Sequence, residues 1–395
     1  MSEAASVLSE HVHPHGEVVD APLVGVDPDE LARAVRIFRR QHRKGLFPGG
    51  QLVVRRHGRL VLDEALGTAS GFREGEPEFA VDRWTRFPSF SAGKAVVAIL
   101  LAILEDRGQL DVHAPIAELW PGFGANGKEA ITTLDVLTHR GGVLLNELCA
   151  SPERWGDWDG LVGAIEAAPP SHKRGAIRYH PLEYGWILGE IVQRASGRSF
   201  RDFLRRELAA PTGLSNLRFG ARPDEVDHCA RTYYLGRKPV RVAGFEVSAG
   251  LEDLIADPAT AAALLPGAGL VTDAGTLAAF YEMLVRGGVG ANGQKILSRS
   301  TIDRWVEPVV SGWCRTNQAP ITLGRGFFVG SALPSLYSIT PSHGCFGHAG
   351  LFCTLGFADA NTGLAAAIVT NGNRSKADLV QRMMPLVGAL RSACR

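Results

Sequence analysis

Ser91 and Lys94 stand three residues apart in the run Phe90-Ser91-Ala92-Gly93-Lys94, which leads into a strongly apolar stretch. On the first turn of a helix that spacing puts both side chains on one face, within reach of each other. A serine hydroxyl is a weak nucleophile until a neighbour takes its proton. A lysine held in a low-dielectric pocket can lose its own proton and become that neighbour. The helix N-terminus adds a positive field that favours alkoxide character at Ser91 and negative charge on a bound carbonyl oxygen. A serine that only caps a helix satisfies the same four-residue pattern, so the reading needs support from elsewhere in the chain.

Two further segments supply it. Tyr179 stands in Arg178-Tyr179-His180-Pro181-Leu182-Glu183, just before an amphipathic helix, where a packing aromatic would also fit. Gly347-His348-Ala349-Gly350-Leu351 opens an expected strand whose glycines let a ligand or another backbone approach closely. Ser89-Phe90-Ser91-Ala92-Gly93 has a serine where a nucleophile elbow needs its first glycine, which argues against an α/β-hydrolase.

The elements that must position these residues are readable from pattern. Asp27-Pro28-Asp29-Glu30 gives an N-cap, a proline at the first helical position and an acid at the third, opening a helix to about Arg43. Gln51 to Arg55 and Leu60 to Leu62, joined by His57-Gly58, read as a hairpin. Near the other end, Leu351 to Phe357 and Leu364 to Thr370 read as two more antiparallel strands. A helix from about Ser375 to Arg391 follows, with Leu379, Met383, Leu386 and Leu390 on one side. Between these ends the pattern is mainly helical, at Ala92 to Arg107, Leu134 to Thr138, Tyr184 to Ala195, Phe200 to Glu207 and Asp273 to Val285. The expectation is an α+β fold: an antiparallel sheet flanked by the N- and C-terminal helices, with an inserted mainly helical lobe. Its parts would be a flexible leader over 1–25, a discontinuous sheet lobe over 26–90 plus 266–395, and a helical lobe over 91–265. The Gly/Pro-rich Leu265 to Leu270 reads as a bend and not as a phosphate loop, since it lacks the Lys-Ser/Thr ending.

Taken together, the motifs and their order resemble the serine β-lactamase and penicillin-binding-protein superfamily, and within it the class C β-lactamase-like proteins that include family VIII carboxylesterases and transesterases. The resemblance runs from about Pro48 to Asn373. Leu137-Thr138-His139-Arg140-Gly141-Gly142 and Gly269 through Leu277 add to it. It implies that Ser91 is the acylated nucleophile of an SxxK motif, that Lys94 and Tyr179 manage the protons, and that the backbone amides of Ser91 and Leu351 form the oxyanion hole. His348, Ala349, Gly350 and His180 would then contact substrate. No cofactor and no metal is implied.

Two departures narrow the substrate. The family's Tyr-x-Asn triplet is Tyr179-His180-Pro181 here, and proline has no donor for a substrate amide. The Lys-Thr-Gly triplet is His348-Ala349-Gly350, which replaces a permanent cation with a group largely neutral at pH 7. Peptide-like and anionic β-lactam substrates lose handles, while neutral esters lose little. A carboxylesterase acting on a small-molecule ester is therefore the preferred reading. A transacylase with an acyl acceptor, residual β-lactamase or D-amino-acid peptidase activity, and an inactive binding or scaffold protein remain as alternatives.

Composition narrows the field from the other side. The 395 residues carry a formal net charge of +1, which gives no basis for nucleic acid or a membrane surface as partner. The early acid and the lack of an apolar stretch in Met1 to Leu8, together with a longest apolar run of Ala95 to Leu104, point to a soluble, cytoplasmic protein. The cysteines Cys149, Cys229, Cys314, Cys345, Cys353 and Cys394 show no paired spacing and read as reduced core thiols, with Cys345 near enough to the His348 motif to line a cleft. Trp186 and Phe328 are further cleft candidates. His11, His13 and His15 lie in the leader without a partnering carboxylate in sequence, which makes a metal site there a weak reading.

Overall fold

The computed structural model describes residues 15–222, 229–242, 245–332, 335–338 and 341–394. A nine-stranded antiparallel sheet runs in the order Val310–Cys314, Ala319–Leu323, Phe328–Val329, Cys345–Gly350, Thr354–Asp359, Leu364–Thr370, Gly49–Arg56, Arg59–Ser70 and Phe79–Ala80. N- and C-terminal strands therefore meet at its centre, where Gly49–Arg56 pairs with Leu364–Thr370. His57 and Gly58, with φ of 52° and 83°, make the tight turn to the next strand, and both left-handed residues suit the twist of a hairpin.

Both faces of the central strands are buried. Leu52, Val54, Ala366 and Ile368 pack on one side, and Val53, Ala365, Ala367 and Val369 on the other. That is why Leu364–Thr370 reads as a continuous apolar run and not as an alternating one. The first face is covered by helices Pro28–Arg43 and Asp378–Ala393. Asp27 caps the former by accepting from the Asp29 and Glu30 amides. Gln41 Nε2 donates to Arg382 O at 2.9 Å and joins the two helices. Met383, Leu386 and Leu390 face the core as their spacing predicts, while Leu379 lies at its edge.

The second face is covered by helices Gly93–Asp106 and Ala274–Val285. Every residue from Gly93 to Leu104 is buried, and apart from Lys94 that stretch is apolar all round, so the helix lies in the middle of the molecule. Arg55 and Glu282 form a buried ion pair at 2.7 Å between the sheet and the second of these helices. The mainly helical lobe is inserted between the Phe87–Phe90 and Leu270–Thr272 strands, which pair with each other. Among the described residues, no helix is long and apolar enough to cross a membrane.

Two expectations are corrected. Leu351 to Phe357 is not one strand: Cys345–Gly350 ends just before it, Leu351–Cys353 forms a tight turn with Phe352 and Cys353 in the left-handed region, and the next strand begins at Thr354. The run is apolar enough to read as a strand, but Phe352 turns out of the sheet to stack on Phe90. The segment 15–25 is also not a free leader. Val18 bridges to Leu60, Ala21–Val24 forms a short 3-10 helix, and buried His15 reaches Asp273 at 2.9 Å and Asp63 at 3.4 Å. These carboxylates are remote in sequence, so their pairing with His15 had no local signature. His11 and His13 lie outside the described residues.

Candidate active site

The strand Phe87–Phe90 ends in a left-handed residue, Phe90, with φ of 49°. That turn lifts Ser91 out of the strand and sets it at the head of the Gly93–Asp106 helix, with the Lys94 amide donating to Ser91 O at 3.0 Å. Lys94 follows on the first turn, fully buried, and its Nζ lies 3.2 Å from Ser91 Oγ.

Two carbonyl oxygens hold that nitrogen from behind. Nζ donates to Pro181 O and to Gly267 O, each at 2.6 Å. A neutral amine has two N–H donors and one lone pair. With both donors taken by the carbonyls, the lone pair is left for Ser91 Oγ. Burial pushes the Lys94 pKa down to about 7, against the charge of Glu183, which pulls it back up. At neutral pH a large fraction of Lys94 is therefore able to accept a proton.

Gly267 reaches Lys94 because helix Glu183–Ser196 lets it in. A Cβ on Gly185 would lie 1.8 Å from Gly267 N, inside the backbone, so only glycine permits the approach. Glu183, on the same helix, is buried and accepts from Leu145 N at 2.6 Å, Leu182 N at 3.2 Å and Cys149 Sγ at 3.2 Å.

Tyr179 completes the cluster. Its ring lies 5.0 Å from Lys94 Nζ, and its hydroxyl is near enough to the Ser91 side chain to be influenced by it. Burial raises its pKa although the nearby Ser91 lowers it, so it is a neutral phenol at ordinary pH. Lys94 is then the group able to take a proton, and Tyr179 the one able to relay it.

On the opposite wall the Cys345–Gly350 strand comes close to the nucleophile. A Cβ on Gly350 would meet Ser89 O at 2.2 Å, so glycine is needed for this approach as well. The next residue, Leu351, lines both cavities that contain Ser91 and Tyr179. The Phe90 and Phe352 rings stack at 5.4 Å and tie the two walls together.

His348 lies in this strand, not at its start, and is buried. Its Nδ1 lies 2.8 Å from Ala349 O, which assigns the proton to Nδ1. Burial and the nearby Lys94 charge push its pKa down to about 3, so it is neutral and gives no cationic anchor. Its ring packs on Phe328 at 4.8 Å and on Tyr179 at 6.3 Å. Ala349 and Gly350 line the second cavity with Ser91.

His180 does not meet the expectation of a substrate contact. It is buried behind Tyr179, stacked on His139 at 5.7 Å, and lines neither cavity. Tyr179 and Pro181 line the first cavity, and His180 between them does not. Trp186 and Cys345 also line neither cavity: Trp186 is core, and Cys345 Sγ donates to Asp359 at 3.3 Å. Phe328 does line one. Sequence reading missed the Pro181 and Gly267 carbonyls and Glu183. The carbonyls leave no side-chain trace, although Gly185 and Gly267 together mark the close approach.

Comparison with known proteins finds relatives along most of the chain. An esterase/beta-lactamase of Mycobacterium tuberculosis, LipL, is 29% identical over 377 residues, covering 88% of this chain and 82% of its own. The crystal structure of a penicillin-binding protein homologue from Caulobacter crescentus superposes with a TM-score of 0.78 at 28% identity, over 93% of this chain and 99% of that one. A family VIII carboxylesterase structure gives the same TM-score at 24% identity, over 93% and 99%. The Beta-lactamase family model matches residues 34–384, and the chain belongs to that family.

Proposed function

We propose that this chain is a serine hydrolase that cleaves neutral carboxylic esters through an acyl-enzyme on Ser91. The observation that carries the reading is the Lys94 amine, with its two donors spent on Pro181 O and Gly267 O and its remaining valence 3.2 Å from Ser91 Oγ. Neutral Lys94 takes the Ser91 proton as Oγ bonds to the ester carbonyl carbon. The Ser91 and Leu351 amides hold the resulting oxyanion. The C–O bond to the alcohol then breaks, and the proton held on Lys94 reaches the departing alkoxide by way of the Tyr179 hydroxyl. Water, deprotonated by the same relay, attacks the acyl carbon. The bond to Oγ breaks and the acid leaves, with Ser91 reprotonated.

Esters are favoured over β-lactams by what the walls lack. Neutral His348 provides no counter-ion for a lactam carboxylate, and Pro181 offers Lys94 a carbonyl but offers a substrate amide no donor. The relative LipL carries both activities, esterase and beta-lactamase, in its name. Acyl transfer is the second reading: an alcohol in place of water at the deacylation step gives transesterification by the same residues. Ser91→Ala is expected to lower kcat for an activated short-chain ester by at least about 10³-fold with the thermal transition kept. Turnover retained in that variant would overturn the assignment, and absence of turnover in the wild type itself would leave the inactive-scaffold reading standing.

A further inference from the structure

Tyr179 has no regular element to hold it. Residues 176–180 belong to neither helix nor strand, and helix Glu183–Ser196 begins only after them. A relay hydroxyl works only if it is held to within about 0.5 Å, so the restraint has to come from another segment. One residue, His139, supplies it twice over. Its carbonyl accepts from the Arg178 amide at 3.0 Å, and its ring Nδ1 accepts from the His180 amide at 3.2 Å. These two amides flank Tyr179, so the main chain and the side chain of His139 grip it from both sides. The same ring packs on the Tyr179 ring at 4.5 Å and on the Tyr184 ring at 5.2 Å. Tyr184 Oη in turn donates to Lys94 O at 3.2 Å, which ties the relay and the base to a common support.

The backbone at His139 gives the imidazole a meaning beyond packing. Helix Thr133–Leu137 ends with the His139 amide donating to Val136 O at 3.0 Å and the Arg140 amide donating to Asp135 O at 2.6 Å, the paired bonds of a Schellman motif. That motif needs a left-handed residue at His139, whose φ is 56°, and glycine is the usual choice there. A histidine held in this strained conformation points to a contact that glycine could not make. His139 is buried and lines neither cavity that contains Ser91, so the contact is with the protein and not with substrate. An Nδ1 that accepts carries no proton, and burial holds the imidazole well below the ordinary histidine range, which keeps the acceptor in place.

We infer that His139 is the positioning residue for the Tyr179 hydroxyl: its carbonyl and its Nδ1 hold the Arg178 and His180 amides and so set where Tyr179 meets Ser91 and Lys94. The inference rests on the esterase reading and adds to it a residue that acts on the reaction only through the relay.

Two variants that both accept a left-handed backbone isolate the acceptor. Asparagine offers Oδ1 where His139 has Nδ1, while glycine offers the His180 amide nothing. His139→Asn is expected to keep kcat for a simple ester within about threefold of the wild type. His139→Gly is expected to keep a cooperative thermal transition and to lower kcat by about 10²-fold with KM changed less than about threefold, the effect of misplacing a reacting group by about 1 Å. Combined with Tyr179→Phe, which already lacks the relay hydroxyl, His139→Gly is expected to lower kcat by less than about twofold more. Full activity in His139→Gly overturns the acceptor role. So does a 10²-fold loss, or about that, in His139→Asn with its transition kept, a result that stands even if the glycine variant does not fold. Losses that multiply in the double variant overturn the action through Tyr179, because support of the fold alone would cost the same in either background. Turnover that survives Ser91→Ala is a separate result, which sinks the hydrolase reading and this inference with it.

Discussion

Phe90 and Phe352 stack with ring centroids 5.4 Å apart and planes 29° from parallel, and each holds a left-handed backbone, with φ of 49° and 56°. Each also sits one position from a proposed oxyanion-hole residue, Phe90 before Ser91 and Phe352 after Leu351. A non-glycine residue in that region costs about 1–3 kcal/mol and persists only when its surroundings hold it. The stack sets the separation of the two amides by clamping the strained turns against each other. Phe352→Ala is therefore expected to lower kcat by about 10²-fold with little change in KM, because it loosens a donor that acts on the developing oxyanion. Steady-state kinetics on a short ester separates the two parameters, and a loss confined to KM would assign Phe352 to substrate binding instead.

The Lys94 amine fixes the pH dependence. Below its pKa of about 7 it is an ammonium and cannot accept the Ser91 proton, so kcat/KM is expected to fall tenfold per pH unit on the acid side and to level off above neutrality. The stability sign follows from the same group. Its folded pKa is depressed below the 10.5 of an ordinary lysine, so the unfolded chain binds more protons between pH 7 and 10.5, and the Lys94 contribution to stability improves as pH rises through that window. Lys94→Met is expected to remove both effects, read from a pH–rate profile and from denaturant titrations at pH 7 and 9.

Glu183 acts on the base without touching substrate. Its charge favours the Lys94 ammonium, while its oxygens accept the Leu145 and Leu182 amides. Glu183→Gln keeps a hydrogen-bond acceptor and removes the charge. The acid limb of the pH–rate profile is expected to move to lower pH, raising activity at pH 6 several-fold relative to that at pH 8. A uniform loss at both values would mean that Glu183 only holds the loop in place.

His15 makes a second pH-sensitive contact, far from the chemistry. Burial opposes its charge, but hydrogen bonds and charge from Asp273 and Asp63 outweigh that and raise its pKa from 6.5 to about 9. A raised folded pKa contributes stability that is fully present below pH 6.5 and lost as pH rises through about 9. The wild type is expected to lose on the order of 2 kcal/mol across that window from this group, and His15→Gln to be less stable at pH 6 with a flatter profile. Thermal unfolding at a series of pH values checks it.

What could be read from the sequence was what is written locally. The Asp27-Pro28 cap, the His57-Gly58 turn and the spacing of Met383, Leu386 and Leu390 each depend on neighbours within a few residues, and each stands where the pattern placed it. Ser91, Lys94 and Tyr179 meet in one cleft because their segments carry recognisable side chains in a recognisable order. What escaped depends on distant partners or on backbone alone. Phe352 leaves the expected strand for Phe90, His15 leaves the leader for Asp63 and Asp273, and the Lys94 amine is oriented by carbonyls that any residue type possesses. His180, adjacent to a tyrosine that faces the cleft, was misplaced because the local direction of the chain decides which of two neighbours faces in.

The central claim, that Ser91 is the acylated nucleophile, is tested most directly by covalent labelling. The folded chain treated with a fluorophosphonate, digested and read by mass spectrometry, is expected to carry a single stoichiometric adduct on the peptide containing Ser91, with labelling faster at pH 8 than at pH 6. Lys94→Met is expected to slow it by at least about 10²-fold. An unmodified Ser91 with turnover intact, or an adduct on another serine, would contradict the account.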